Sequence, residues 1–129
     1  MELMAQKASV TLASTCYRFR GVTVDANNKG VLVGAGGVAV GTIQGAVFRN
    51  ASNESAYAAG ATLDLENCSG EQMMEAGGAF TCADFLKWGT GGKLVVEASA
   101  TTRTANTVAI ARQTASGDGA VVKVFFVQG

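Results

Sequence analysis

Apolar residues in this chain come in short runs of period two, each closed by glycine or by a turn rich in Asn and Asp. Val10 and Leu12, Val22 and Val24, Leu63 and Leu65, and Leu94 and Val96 all keep that spacing. Successive side chains of a strand point to opposite faces, so alternation over a few residues encodes half-buried strands, whereas a helix needs a period of 3.6. The punctuation is 17 glycines and no proline, which supplies turns of positive φ rather than rigid kinks. Windows with any helical character, such as 51–59, are short and rich in Asn and Ser. The expected fold is therefore mainly β, a small all-β domain, with residues 1–8 reading as a polar arm ahead of it.

Along the chain, a change of phase near Ser14 predicts a bend between the Val10/Leu12 face and the Tyr17/Phe19 face. Asp25-Ala-Asn-Asn-Lys-Gly reads as a turn, followed by strands at 31–33 and 38–43 and a further one starting at Val47-Phe48. Asn50–Gly60 is the longest polar connection. Thr62–Glu66 alternates cleanly and, through Ser69-Gly70, is expected to form a hairpin with 72–75. Of Met73 and Met74, alternation turns only one toward the core. Thr81–Phe85 suggests a short helical turn before the Leu86–Trp88 strand. Gly89-Thr-Gly-Gly turns back into 93–98, and 108–111 and 120–127 are the last strands. The final strand is apolar on both faces: Val122, Val124 and Phe126 on one, Val121, Phe125 and Val127 on the other. Such a strand is central in a closed sheet or covered by a neighbouring subunit, since an open edge of that kind aggregates. Val121, Phe125 and Val127 are the expected oligomer interface. Gly21–Val33 followed by 38–44 also echoes 86–96 followed by 108–113: strand, glycine turn, strand, loop, strand. The echo is either an internal repeat or the ordinary look of a meander.

Composition narrows the function. Charged residues make up 16% of 129, well under the usual quarter, while 48% are hydrophobic. A body of 13.1 kDa cannot hide that much apolar surface within itself, which favours assembly over a free monomer. Basic and acidic residues balance at 10 each, so the basic excess that drives nucleic-acid binding is missing. No run approaches the roughly 18 apolar residues of a membrane span, and MELMAQKASV has neither the basic leader nor the apolar segment of a signal peptide. Synthesis in the cytoplasm is the expectation, with Cys16, Cys68 and Cys82 as buried free thiols, since an odd set without CxxC spacing makes no disulfide framework.

Catalysis finds little support. There is no histidine, which removes the common serine and cysteine dyads and makes a zinc site improbable. Asp25, Asp64, Asp84 and Asp118 fall in separate turns or exposed strands. Asp25 with Asn27 and Asn28 resembles a piece of a calcium loop but lacks the downstream glutamate. Gly34-Ala-Gly-Gly lacks the Lys-Ser/Thr and helix of a phosphate loop. The expectation is a protein without enzymatic activity, metal or cofactor. A carbohydrate-binding module with Trp88 as its platform is a weaker alternative, since such sites gather exposed aromatics and paired carboxylates.

The run Met74-Glu-Ala-Gly-Gly-Ala-Phe-Thr-Cys-Ala-Asp-Phe-Leu-Lys-Trp-Gly-Thr-Gly-Gly-Lys-Leu-Val-Val-Glu-Ala, continued by Val108-Ala-Ile-Ala and Ala115-Ser-Gly-Asp-Gly, resembles bacteriophage capsid decoration (cement) proteins of the lambda type. The resemblance covers about 70–127, with a looser match over 21–44, and 45–69 departs from it. It implies a homotrimer on the outer capsid surface of the virion, binding the major capsid protein between capsomers and stabilising the shell. It further implies a fold of small β-barrel or β-tulip-like type, a single β domain over 13–129, and an N-terminal arm over 1–12 that adds to the capsid's strands, with Lys7, Val10 and Leu12 as the contacts. The alternative is another virion component, such as a head fibre base or a tail-tube protein.

Overall fold

The computed structural model describes residues 8–44, 56–97 and 102–127. The expected strand at Val47-Phe48, most of the 50–60 connection and Lys7 lie outside those residues. Glycine-bounded alternation gives twelve short strands and one 3-10 turn, Thr90–Gly92, among the described residues. The first seven strands are β1 (Ser9–Thr11), β2 (Cys16–Tyr17), β3 (Gly21–Val24), β4 (Gly30–Leu32), β5 (Gly41–Thr42), β6 (Ala56–Tyr57) and β7 (Thr62–Asp64). The remaining five are β8 (Gly70–Glu75), β9 (Phe85–Trp88), β10 (Leu94–Val96), β11 (Ala109–Ala111) and β12 (Val121–Phe126).

The second set forms a five-stranded antiparallel sheet in the order β10-β9-β11-β12-β8. In the first set, β4-β3-β5 and β1-β7 are separate ladders, joined by the bridge Thr42↔Glu66 just beyond β7. The two orders are the same. One constant shift in numbering carries the β3–β4 pairs Val22↔Leu32 and Val24↔Gly30 onto Leu86↔Val96 and Trp88↔Leu94 of β9–β10. Likewise Gly21↔Thr42 corresponds to Phe85↔Ile110, and Val10↔Leu63 to Met74↔Val122. Even the irregular backbone is duplicated: φ is positive at Phe19 and Ala83, at Asn28 and Gly92, and at Gly60 and Gly119. The echo is therefore a repeat in topology and register, and the chain is two equivalent units built side by side.

Each unit holds its own core. Val10, Leu12, Cys16, Val22, Ile43 and Leu65 fill the first. Met74, Leu86, Trp88, Leu94, Val124 and Phe126 lead the second, to which Val33 of the first unit is added. This division corrects the expected hairpin. β7 pairs with β1 and β8 with β12, because Leu63 and Leu65 pack in the first core while Met74 lies in the second. Met73 is the half-buried member of its pair. The expected 38–43 strand shortens to Gly41–Thr42.

The fold is a single small mainly β domain, as expected, but among the described residues no sheet closes into a barrel. A lone parallel bridge spans the gap in each unit, Leu12↔Gly30 in the first and Ala76↔Leu94 in the second. The expected arm is also different over its described part. Val10 and Leu12 are 7% and 2% exposed, and β1 is paired along its length with β7. Apolar side chains at strand positions beside a core of their own are buried there rather than left as anchors.

Candidate functional site

The alternation of β12 sets Val122, Val124 and Phe126 inward and Val121, Lys123 and Phe125 outward. On the outer face Phe125 pairs with Ile110, and Ile110 with Phe85, so an apolar row crosses three neighbouring strands. Phe125 remains 42% exposed, and Ile110 and Phe85 are half-buried. Glu71 lies beside Phe125 on β8 and takes ion pairs from Arg112 at 3.3 Å and Lys123 at 3.5 Å. An apolar strip with a charged rim is the usual anatomy of a protein-binding face. Of the three residues expected at an oligomer interface, Val121 and Phe125 lie on this face. Val127 follows the end of β12, half-buried, in an apolar cleft of about 440 Å³ with Trp88, Phe126, Val38 and Cys68. Ile110 and Phe85 were not legible as members of the row, because only strand pairing brings them beside Phe125.

The seam between the units is tightly built. The indole of Trp88 covers the backbone of Gly21, where a methyl group would fall 2.5 Å from the ring. The Arg20 guanidinium stacks over Tyr17 at 4.4 Å and donates to both carboxylate oxygens of Glu75, at 3.0 and 3.2 Å. Lys93 reaches Glu75 at 3.3 Å and Asp118 at 2.9 Å. The hydrogen bond to Asp118 is the main cause that raises the Lys93 ammonium above its ordinary range, against its desolvation, with Glu75 adding to it. The same bond lowers the Asp118 carboxyl. Nearby, the Thr42 hydroxyl meets Gln72 Oε1 at 2.8 Å, and Gln44 Nε2 donates to the Met73 carbonyl at 2.8 Å.

The remaining carboxylates and thiols have structural surroundings. Asp25 Oδ1 accepts the backbone N–H groups of Asn27 and Lys29, an Asx turn rather than a cation loop. Asp84 Oδ2 accepts the N–H of Thr81 and closes the turn before β9, which is not the expected helical one, since Ala83 has a φ of 78°. Glu97, unremarked in the sequence, is 5% exposed and accepts the hydroxyls of Thr104 and Thr107. Among the described residues no three metal-ligating side chains cluster. Trp88, 3% exposed, is covered by the seam and offers no open platform for a sugar.

The thiols correct another expectation: Cys16 is buried and Cys68 half-buried, but Cys82 is exposed. Burial pushes Cys16 and Cys68 up to about 11. A thiol-specific reagent at pH 8 is expected to titrate Cys82 alone on a fast timescale, since the thiolate is the reactive form. Two or three fast thiols in the native protein would contradict this placement. Because these folded-state values lie above the ordinary 9.0, the contribution of the two thiols to stability is expected to be intact below pH about 9 and to be lost as pH rises toward 11, which urea unfolding at both pH values measures. The loss is on the order of 2 kcal/mol for Cys16 and less for the partly wet Cys68.

No protein-family model and no curated protein matches the sequence. The fold is similar to that of the head fibre gp8.5 N base in bacteriophage phi29, with a TM-score of 0.70 at 11% sequence identity. The match covers 94% of this chain and 92% of that one, so the likeness embraces both units. At that identity the two proteins share a fold.

Proposed function

We propose that the chain is a structural component of a bacteriophage head, a small β domain held on the outside of the capsid that acts by binding and not by catalysis. The observation that carries this reading is the likeness, over nearly the whole of both chains, to a head fibre base. An apolar row with a charged rim supports it, as does a sequence with few charges and no histidine.

Two finer roles fit. A decoration protein braces the shell and binds the major capsid protein as a homotrimer; the 74–98 run speaks for it. A fibre base carries another body on the shell; the likeness to the phi29 base speaks for that, and it weakens the lambda-type assignment. In either role Val10 and Leu12 would reach the capsid only if β1 left its own core, so outward-facing residues are the better contacts.

The test is sedimentation of the purified protein with expanded capsids and with procapsids of its phage, each lacking it. Binding to the expanded shell is the expected result, and failure to co-sediment with either shell would overturn the proposal. A bound shell that resists heating better than the bare one indicates a decoration protein. Binding without that gain indicates a fibre base.

A further inference from the structure

The internal repeat makes the seam and the free apolar row equivalent surfaces. Gly21 and Thr42 of the first unit correspond in register to Phe85 and Ile110 of the second. Glu66, bridged to Thr42, corresponds to Phe125, paired with Ile110. In the first unit this surface is covered: Gly21 lies under Trp88 and Thr42, fully buried, bonds Gln72. In the second unit, among the described residues, the same surface carries Phe85 and Ile110, half-buried, and Phe125, 42% exposed.

We propose that this row is a docking face for the first unit of a second copy of the chain, which continues the seam head to tail. The argument is continuity with the interface already inside the molecule. The receiving side of the seam, Gln72 and Trp88, corresponds to Ala8 and Val24 of the first unit, by the same registers. Val24 is 37% exposed, although its partner on the other unit is the best-covered aromatic of the seam.

Most substitutions across the two versions match; the exception is Asn28, which stands where Gly92 meets the Gly21 backbone, so the copies sit farther apart at that corner than the units do. Inside the chain the bulk is on the receiving side, with Trp88 over Gly21. Between copies it moves to the docking side, with Phe85 against Val24, so the volume of the pair is roughly kept. The polar pair Thr42 and Gln72 becomes the apolar pair Ile110 and Ala8, so neither version leaves a polar group facing an apolar one. Gln44 Nε2, which donates to the Met73 carbonyl, becomes Arg112, ion-paired with Glu71 within the chain and by register opposite Ser9 of the next copy, a donor replaced by a donor. The interface is heterologous, and repetition generates a ring where the rotation closes and a filament where it does not. Nothing in this inference depends on what the chain attaches to.

The test mixes two variants and reads mass by sedimentation velocity, with circular dichroism to verify folding. Ile110→Arg disables the docking side, and Val24→Arg disables the receiving side. The wild type is expected to associate, each variant alone to be monomeric, and their equimolar mixture to form a dimer with one intact interface. Phe125→Glu, at a more exposed position, replaces Ile110→Arg if the latter fails to fold. A wild type that is monomeric at its highest soluble concentration overturns the proposal. So does association of Val24→Arg at wild-type strength, which would mean that the apolar row meets its own copy face to face.

Discussion

Trp88→Ala is expected to lower the unfolding free energy by about 3–5 kcal/mol, the range for deleting a buried large aromatic. Trp88 is 3% exposed and serves two bodies. Its ring packs against Phe126 of its own core, with centroids 5.9 Å apart, and it also covers Gly21 of the other unit. Removal therefore opens a cavity at the seam rather than inside one core. Urea unfolding followed by circular dichroism measures the loss, and a cost under about 1 kcal/mol would show that the seam collapses around the gap. Gly21→Ala is the matched control. Its methyl would sit 2.5 Å from the indole, for about 1–3 kcal/mol of overpacking. Combined with Trp88→Ala, that cost should largely disappear, because the atoms it strikes are gone. A double-mutant cycle with no coupling would refute the contact.

The second large effect is expected at Gly92, and its size should contrast with that at Asn28. The two positions are equivalent and share the left-handed backbone, with φ of 75° and 59°. Asn tolerates that conformation, so conformation alone does not explain why one position has glycine. The seam does. A Cβ at Gly92 would lie 2.5 Å from the carbonyl oxygen of Gly21 and 3.1 Å from its nitrogen, backbone atoms that cannot swing away. Gly92→Asn should cost about 2–3 kcal/mol by overpacking, while Asn28→Gly, at an exposed turn, should stay within about 0.5 kcal/mol. Thermal melts of the two variants make the comparison. Equal shifts would mean that the close approach of the units is not what selects glycine.

These glycines show how much was legible in the sequence. Alternation placed Val22, Leu65, Leu94 and the two faces of β12 correctly, because side-chain direction along a strand is a local property. The partner of each strand is not local. Thr62–Asp64 and Gly70–Glu75 sit next to each other around a glycine turn, and they still join different units. The hairpin expectation failed because burial in two separate cores outweighed proximity along the chain. The same limit hid Arg20–Glu75 and the row through Phe85, Ile110 and Phe125, which bring together residues far apart in sequence. The echo between 21–44 and 86–113 was the one long-range signal on view. It is faint because the equivalent positions carry Gly21 and Phe85, or Thr42 and Ile110: the surfaces diverged where one is the buried seam and the other is the half-buried apolar row.

Val33 gives the two units unequal standing during synthesis. The first core draws only on residues that precede β8, so it can condense as soon as that stretch has left the ribosome, ahead of the rest of the chain. The second core takes Val33 from the first unit and is complete only when that unit is already in place. A chain starting at β8 would therefore lack a piece of its own interior, whereas the first core, among the described residues, takes nothing from the second unit.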